Sequence, residues 1–97
     1  ARVFAERMLA AHETPEDRLA TAFRMTTSRQ PSEAELAILL RALERSLAYY
    51  RDHAQQADEF RQSGEYPPAE GLDAVDVAAY GNVLNMILNT DEAISRE

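Results

Sequence analysis

Ser32-Glu33-Ala34-Glu35-Leu36-Ala37-Ile38-Leu39-Leu40, continued by Leu43, Leu47, Tyr50, Ala54 and Ala57, is the stretch whose reading decides the fold. Ser32 with Glu35 three residues on is a capping box, in which two residues satisfy each other's free amides at a helix start. From Leu36 the apolar positions 36, 40, 43, 47, 50, 54 and 57 step by alternating four and three. That is the a/d seam of a helix packed lengthwise on a partner helix. An unbroken helix over 32–63 would be about 48 Å long, more than a domain of this size spans. Asp52 followed by Gln55 repeats the capping-box pattern. The spacing therefore predicts a break near Arg51 and a short helix from there to Ser63.

Upstream, Phe4, Met8 and Ala11, with Ala5 and Leu9 beside them, give a first helix one apolar face. Thr14-Pro15-Glu16-Asp17 then starts a second helix. Thr14 caps free amides, Pro15 suits the first helical position, and the acids favour the positive helix end. This helix is expected to bury Leu19, Ala22, Phe23 and Thr26 and to stop before Pro31, since proline disfavours helix in the residue preceding it. Downstream, residues 64–73 (Gly-Glu-Tyr-Pro-Pro-Ala-Glu-Gly-Leu-Asp) hold two of the three glycines and two of the four prolines. They form the one clear loop. Asp73 or a neighbour starts a last helix to about Asn89, and Thr90-Asp91-Glu92 is placed to cap a final short turn. No β-alternation and no internal repeat is visible. The expected fold is all-α: a compact bundle of four to five helices in a single domain over 1–97, with one Pro/Gly loop near 64–73.

The composition narrows the function classes. Seventeen acids against ten bases give a net charge of −7, which argues against nucleic acid, whose binding rests on a basic patch. With no cysteine there is no disulfide, thiolate zinc site or catalytic thiol. The longest apolar run, Leu36 to Leu40, is far short of the roughly 20 residues of a membrane span. All ten basic residues are Arg and seventeen residues are Ala, a bias that fits a GC-rich genome better than a phosphate-reading surface. The chain opens on Ala1-Arg2-Val3-Phe4, already helical and without a cap or initiator Met. That suits a piece of a longer polypeptide.

The three asparagines fall within eight positions, at Asn82, Asn85 and Asn89. At 100° per residue they share a 60° sector of the last helix, opposite Val77, Tyr80, Leu84, Ile87 and Leu88. Ala74, Ala78 and Gly81 flank them, leaving room for another backbone. One reading makes this face a polar ligand groove, with Asp91 beside it. The other has the amides bonding loop or helix-end backbone, as buried amides require partners. His12 and His53 have no ligand partner at helical spacing, so no metal site is expected. The carboxylate pairs Glu16/Asp17, Asp73/Asp76 and Asp91/Glu92 sit at or just inside expected helix starts, where capping accounts for them. Asp58/Glu59 has no convergent partner. No phosphate loop, EF-hand or nucleophile elbow is present, and no catalytic residue is assigned. Tyr49 and Tyr50, with Arg45 and Arg51, are either a partner-binding surface or the amphipathic edge of the seam.

The punctuation of the chain resembles a known family. Ala22-Phe23-Arg24-Met25-Thr26-Thr27-Ser28-Arg29-Gln30-Pro31-Ser32-Glu33-Ala34-Glu35-Leu36 is similar to A-F-R-x-x-T-x-R-x-P-[ST]-x-x-E-L, a segment of the planctomycete-type, cytochrome-c-associated family of unknown function. Leu72-Asp73-Ala74-Val75-Asp76-Val77-Ala78-Ala79-Tyr80, and then Leu88-Asn89-Thr90-Asp91-Glu92-Ala93-Ile94-Ser95-Arg96-Glu97, resemble that family's C-terminal signature. The family often has Gly where Ser28 stands and Leu where Thr90 stands. The resemblance implies the C-terminal segment of a large exported protein with c-type cytochrome or carbohydrate-binding-like modules upstream in many members. By that resemblance the location is periplasmic or otherwise extracytoplasmic. Any haem c is held elsewhere in the parent, and this segment carries no cofactor of its own.

Two function classes follow. The first is a non-catalytic structural and interaction module that docks on other domains of the parent or on a protein partner, including a second copy through the seam. The second is part of an exported enzyme or electron-transfer protein acting on polysaccharide, with the Asn82/Asn85/Asn89 face and Asp91 lining a site. The bonding of the asparagine amides separates them.

Overall fold

Five consecutive residues, Val77 to Gly81, are all buried, which a helix lying on a surface cannot arrange because it buries only one stripe. They belong to α5 (Ala74–Ser95), the helix around which α1 (Arg2–Ala11), α2 (Pro15–Thr27), α3 (Glu33–Asp52) and α4 (Ala54–Arg61) assemble. The computed structural model describes residues 2–63 and 69–95, with side chains as far as residue 89. Among these residues there is no strand, and α5 packs against each of the other four helices. The core joins Ala5 and Met8 of α1, Leu19, Ala22 and Phe23 of α2, and Leu39, Ala42 and Leu43 of α3 to Ala79, Tyr80, Val83, Leu84 and Ile87 of α5. The Cα radius of gyration is 13.1 Å, matching the roughly 13 Å of a compact 100-residue domain. The all-α bundle of five helices is thus present.

The helix starts follow the sequence. Thr14 Oγ1 accepts from the Asp17 amide at 3.1 Å, with Pro15 at the first helical position. At Ser32 the capping box closes in both directions, Glu35 N–H to Ser32 Oγ at 3.1 Å and Ser32 N–H to Glu35 Oε1 at 2.8 Å. Arg29 strengthens it with two parallel bonds to Glu35, 2.8 and 2.7 Å long, and its guanidinium lies 4.9 Å from the Phe23 ring centroid. Ser28 ends α2 in the left-handed conformation (φ 65°), the one glycine takes most readily at this place.

The Arg29 bonds, foremost, and the Ser32 backbone bond pull the Glu35 carboxyl down from 4.5 to about 2. A carboxyl depressed on folding stabilises the native state above its unfolded pKa and loses that contribution as pH falls through the folded one. Glu35→Gln is therefore expected to flatten the acid limb of the stability curve between pH 4.5 and about 2. Urea midpoints measured across that range check it, and an unchanged slope rules it out. The pair is exposed, so solvent screens it and the effect at neutral pH stays small.

Four details differ from the sequence reading. The seam is rotated: Leu39, Ala42, Leu43 and Ser46 are the buried positions of α3, with Leu36, Leu40, Leu47 and Tyr50 only half-buried beside them. The reason is that α3 faces both α2 and α5, so its contact face is wider than one a/d stripe. The expected break near Arg51 is present, at His53 (φ −130°, ψ 53°), but Asp52 does not cap α4, whose start has no side-chain cap bond. Ala11 and Ala54 are exposed and Thr26 is half-buried. Helix α5 runs through Thr90-Asp91-Glu92 to Ser95 without a new start. Of the expected loop, residues 64–68 lie outside the described residues. Ala69 to Asp73 is non-helical, with Gly71 turning at φ +83°.

Two polar ties hold the ends of these helices. Arg18 of α2 donates from Nε to the His12 carbonyl (2.8 Å) and from Nη1 to the Tyr80 hydroxyl (3.1 Å). It thereby satisfies a free carbonyl at the end of α1 and the buried hydroxyl of α5 at once. Glu6 accepts from Arg2 at 3.2 Å and from the Ala69 amide at 3.0 Å, fixing the exit of the loop to α1.

Candidate functional site

Helices α3 and α5 run antiparallel, since Leu39 meets Ile87 in one surface hollow while Ser46 bonds Asn82 further along. Two separate surface hollows of different chemistry lie along their edges, and the strip of surface that holds both is termed the α3–α5 furrow. At one end an apolar hollow of about 150 Å³ is lined by Phe23, Glu35, Ile38, Leu39, Met86 and Ile87. Ile38 is 58% exposed and Met86 42%, so two large apolar side chains stand in water on either rim. Isolated exposed hydrophobics are ordinary; here two of them flank an apolar floor.

At the other end a hollow of about 320 Å³ is lined by Arg45, Ser46, Tyr49, Tyr50 and Asn82. Asn82 Nδ2 donates to the buried Ser46 Oγ at 2.8 Å and ties α5 to α3. Tyr49 stands 43% exposed. Its ring stacks on His53 with centroids 4.0 Å apart and meets the Tyr50 ring edge-on at 5.1 Å. Its hydroxyl donates to Gln56 Oε1 at 2.6 Å, across the α3–α4 break. His53 Nδ1 is 2.7 Å from the Tyr49 carbonyl. The aromatic stack therefore stiffens the corner left without a cap.

The asparagines do share an exposed face of α5, but they are used unequally. Asn82 bonds a side-chain hydroxyl, where the structural reading expected loop or helix-end backbone. Asn85 and Asn89 are not among the residues lining the polar hollow. The Asp91 side chain lies outside the described residues. Flanking them, Gly81 does accommodate a neighbour, but that neighbour is the Phe60 ring of α4 and not a backbone.

Ser46 was legible in retrospect: it is a small polar residue on an otherwise apolar face, opposite which an amide was needed. The exposed rim of Ile38 and Met86 carried no such signal: both fall off the apolar stripes read in the sequence, and nothing local shows that they meet. The remaining candidates stay apart. His12 is half-buried at the end of α1, where its carbonyl serves Arg18, and His53 sits at the exposed break. A third surface hollow, of about 490 Å³, is lined by Asp52, His53, Ala54, Gln55, Gln56 and Glu59. Among the described residues no three His, Asp or Glu side chains gather as metal ligands, and no helix is long and apolar enough to cross a membrane. Asp73 and Asp76 sit at the start of α5. Burial, and then Asp73, raise the Asp76 carboxyl, while Arg18 and Arg51 pull it back. Asp73 Oδ2 accepts from the Asp76 amide at 3.4 Å, the geometry of a helix cap.

Compared with family models, with curated proteins and with solved structures, the chain has no significant match.

Proposed function

We propose that this chain is a non-catalytic docking module, using the α3–α5 furrow to pack on another protein surface. The observation that carries the proposal is the exposure of Ile38 and Met86 over the floor of Phe23, Leu39 and Ile87. An amphipathic face left open in this way gains hydrophobic free energy only when something covers it. The resemblance to the planctomycete-type, cytochrome-c-associated family supplies a setting: the C-terminal segment of a larger exported protein, with its own upstream domains as the nearest surface. The left-handed backbone at Ser28 suits the glycine which that family often has there. Haem, in this reading, belongs to the parent and not to these residues.

The polysaccharide-site reading draws less support. Of its four residues only Asn82 lines a hollow with aromatic side chains, and its amide nitrogen is committed to Ser46.

A photoreactive amino acid at position 38, in the protein produced in its own cells, tests the docking reading. The same group at exposed Glu59 of α4 serves as control. The expected result is one dominant adduct, mapped by mass spectrometry to a single segment, from position 38 and not from 59. Equal or diffuse labelling from both positions refutes it.

A further inference from the structure

We infer that the occupant of the α3–α5 furrow is an amphipathic helix presenting one apolar side chain and, about two turns away, a carboxylate. The inference rests on the docking reading and deepens it. Its apolar half follows from the hollow between Ile38 and Met86, whose floor of Phe23, Leu39 and Ile87 offers no hydrogen bond to a polar group. Glu35, the one charged group among the described residues there, is already engaged by Arg29 and Ser32.

The acidic half follows from the other end of the furrow. The hollow there is lined by Arg45, Ser46, Tyr49, Tyr50 and Asn82, with no carboxylate among the described residues that line it. The Tyr49 hydroxyl and the Asn82 amide are engaged by Gln56 and Ser46, which leaves the Arg45 guanidinium as the group to meet an anion. In a chain of net charge −7, a hollow whose one charged residue among the described ones is Arg45 is complementary to an anion from outside. Arg presents paired donors that match a carboxylate in two parallel bonds. Arg29 already binds Glu35 in that manner within this fold.

The spacing joins the two halves. Ile38 and Arg45 are seven residues apart on one helix, about 10 Å along its axis. A helix lying in the furrow presents side chains at the same interval on one face, as groove-bound amphipathic helices do. Tyr49, edge-braced by Tyr50 and stacked on His53, then forms a rigid wall at the acidic end.

The test is selection of peptides of about twenty residues from a random displayed library against the intact domain, followed by binding of the selected peptides in solution. Enrichment of an apolar residue and an Asp or Glu six to eight positions apart is expected, roughly two helical turns. Ile38→Asp should weaken those peptides about thirty-fold or more and Arg45→Glu about ten-fold, with unchanged urea midpoints because both positions are exposed. Changing the peptide's acid to Arg should restore binding to Arg45→Glu. Peptides that need Ile38 but neither select an acid nor respond to Arg45→Glu overturn this inference and leave the docking reading standing. Peptides indifferent to both substitutions, or no selected peptide at all, overturn both.

Discussion

Replacing Leu84 by alanine is expected to remove about 2–5 kcal/mol of stability, the range for deleting a fully buried leucine. Leu84 is 0% exposed and sits in the middle of the helix that touches all the others. The core cluster to which it belongs draws on α1, α2, α3 and α5, and a site so enclosed collapses only in part, so the upper half of that range is expected. A domain of about 100 residues is stable by roughly 5–15 kcal/mol, and each kcal/mol shifts the midpoint by about 4–8 °C. A thermal midpoint lowered by at least about 10 °C, with the urea midpoint falling in step, is the result to look for. A loss under about 1 kcal/mol would mean that α5 is not the centre of the fold.

Gly81 supplies the second large effect. A Cβ built there would lie 2.5 Å from the tip of the Phe60 ring, closer than atoms can approach, so the ring of α4 must move. Against this, alanine gains about 1 kcal/mol over glycine in a helix interior. Forcing a packed ring aside costs about 1–3 kcal/mol, so Gly81→Ala should destabilise the protein despite its better helix propensity. In a Phe60→Ala background the obstacle is gone, and the same substitution should stabilise by about 1 kcal/mol. The sign reversal, read as a coupling of about 1–3 kcal/mol in a double-mutant cycle of urea unfolding, is independent of the cost of Phe60→Ala alone. Equal effects in both backgrounds would show that the ring does not rest on Gly81.

The helix starts at Thr14 and Ser32 were legible because capping is local chemistry: a hydroxyl and an amide three residues away meet in any context. The break between α3 and α4 was legible as a length too great for the domain, and it falls at His53, two residues from Arg51, although Asp52 takes no part in capping α4. The centrality of α5 was not legible. Its asparagines suggested a two-sided helix, yet Ala78 and Gly81 are as buried as Val77 and Tyr80. Small residues bury without raising the apolar signal, and periodicity counts them weakly.

The rotation of the α3 face has the same origin, since a helix wedged between two others buries Ala42 and Ser46 as well as leucines. At the furrow, the sequence named Asn82, Arg45, Tyr49 and Tyr50. It could not join them to Ile38 and Met86, because the pairing of α3 with α5 spans contacts such as residues 46 to 82. Arg18 to Tyr80 is a tie of the same kind, 62 residues long.

Those long ties, and the place of α5 within the bundle, bear on how the chain is made. Translation delivers α1 to α4 first; α1 meets α2, α2 meets α3 and α3 meets α4, but the faces that rest on α5 wait until Val77 to Ile87 has left the ribosome. At about 5–20 residues per second, Leu19 waits roughly 3–13 s for Leu84. Helices form in microseconds or less, but ones as short as α1 and α4 are marginal alone, so the core closes only once α5 has emerged. The keystone is laid last.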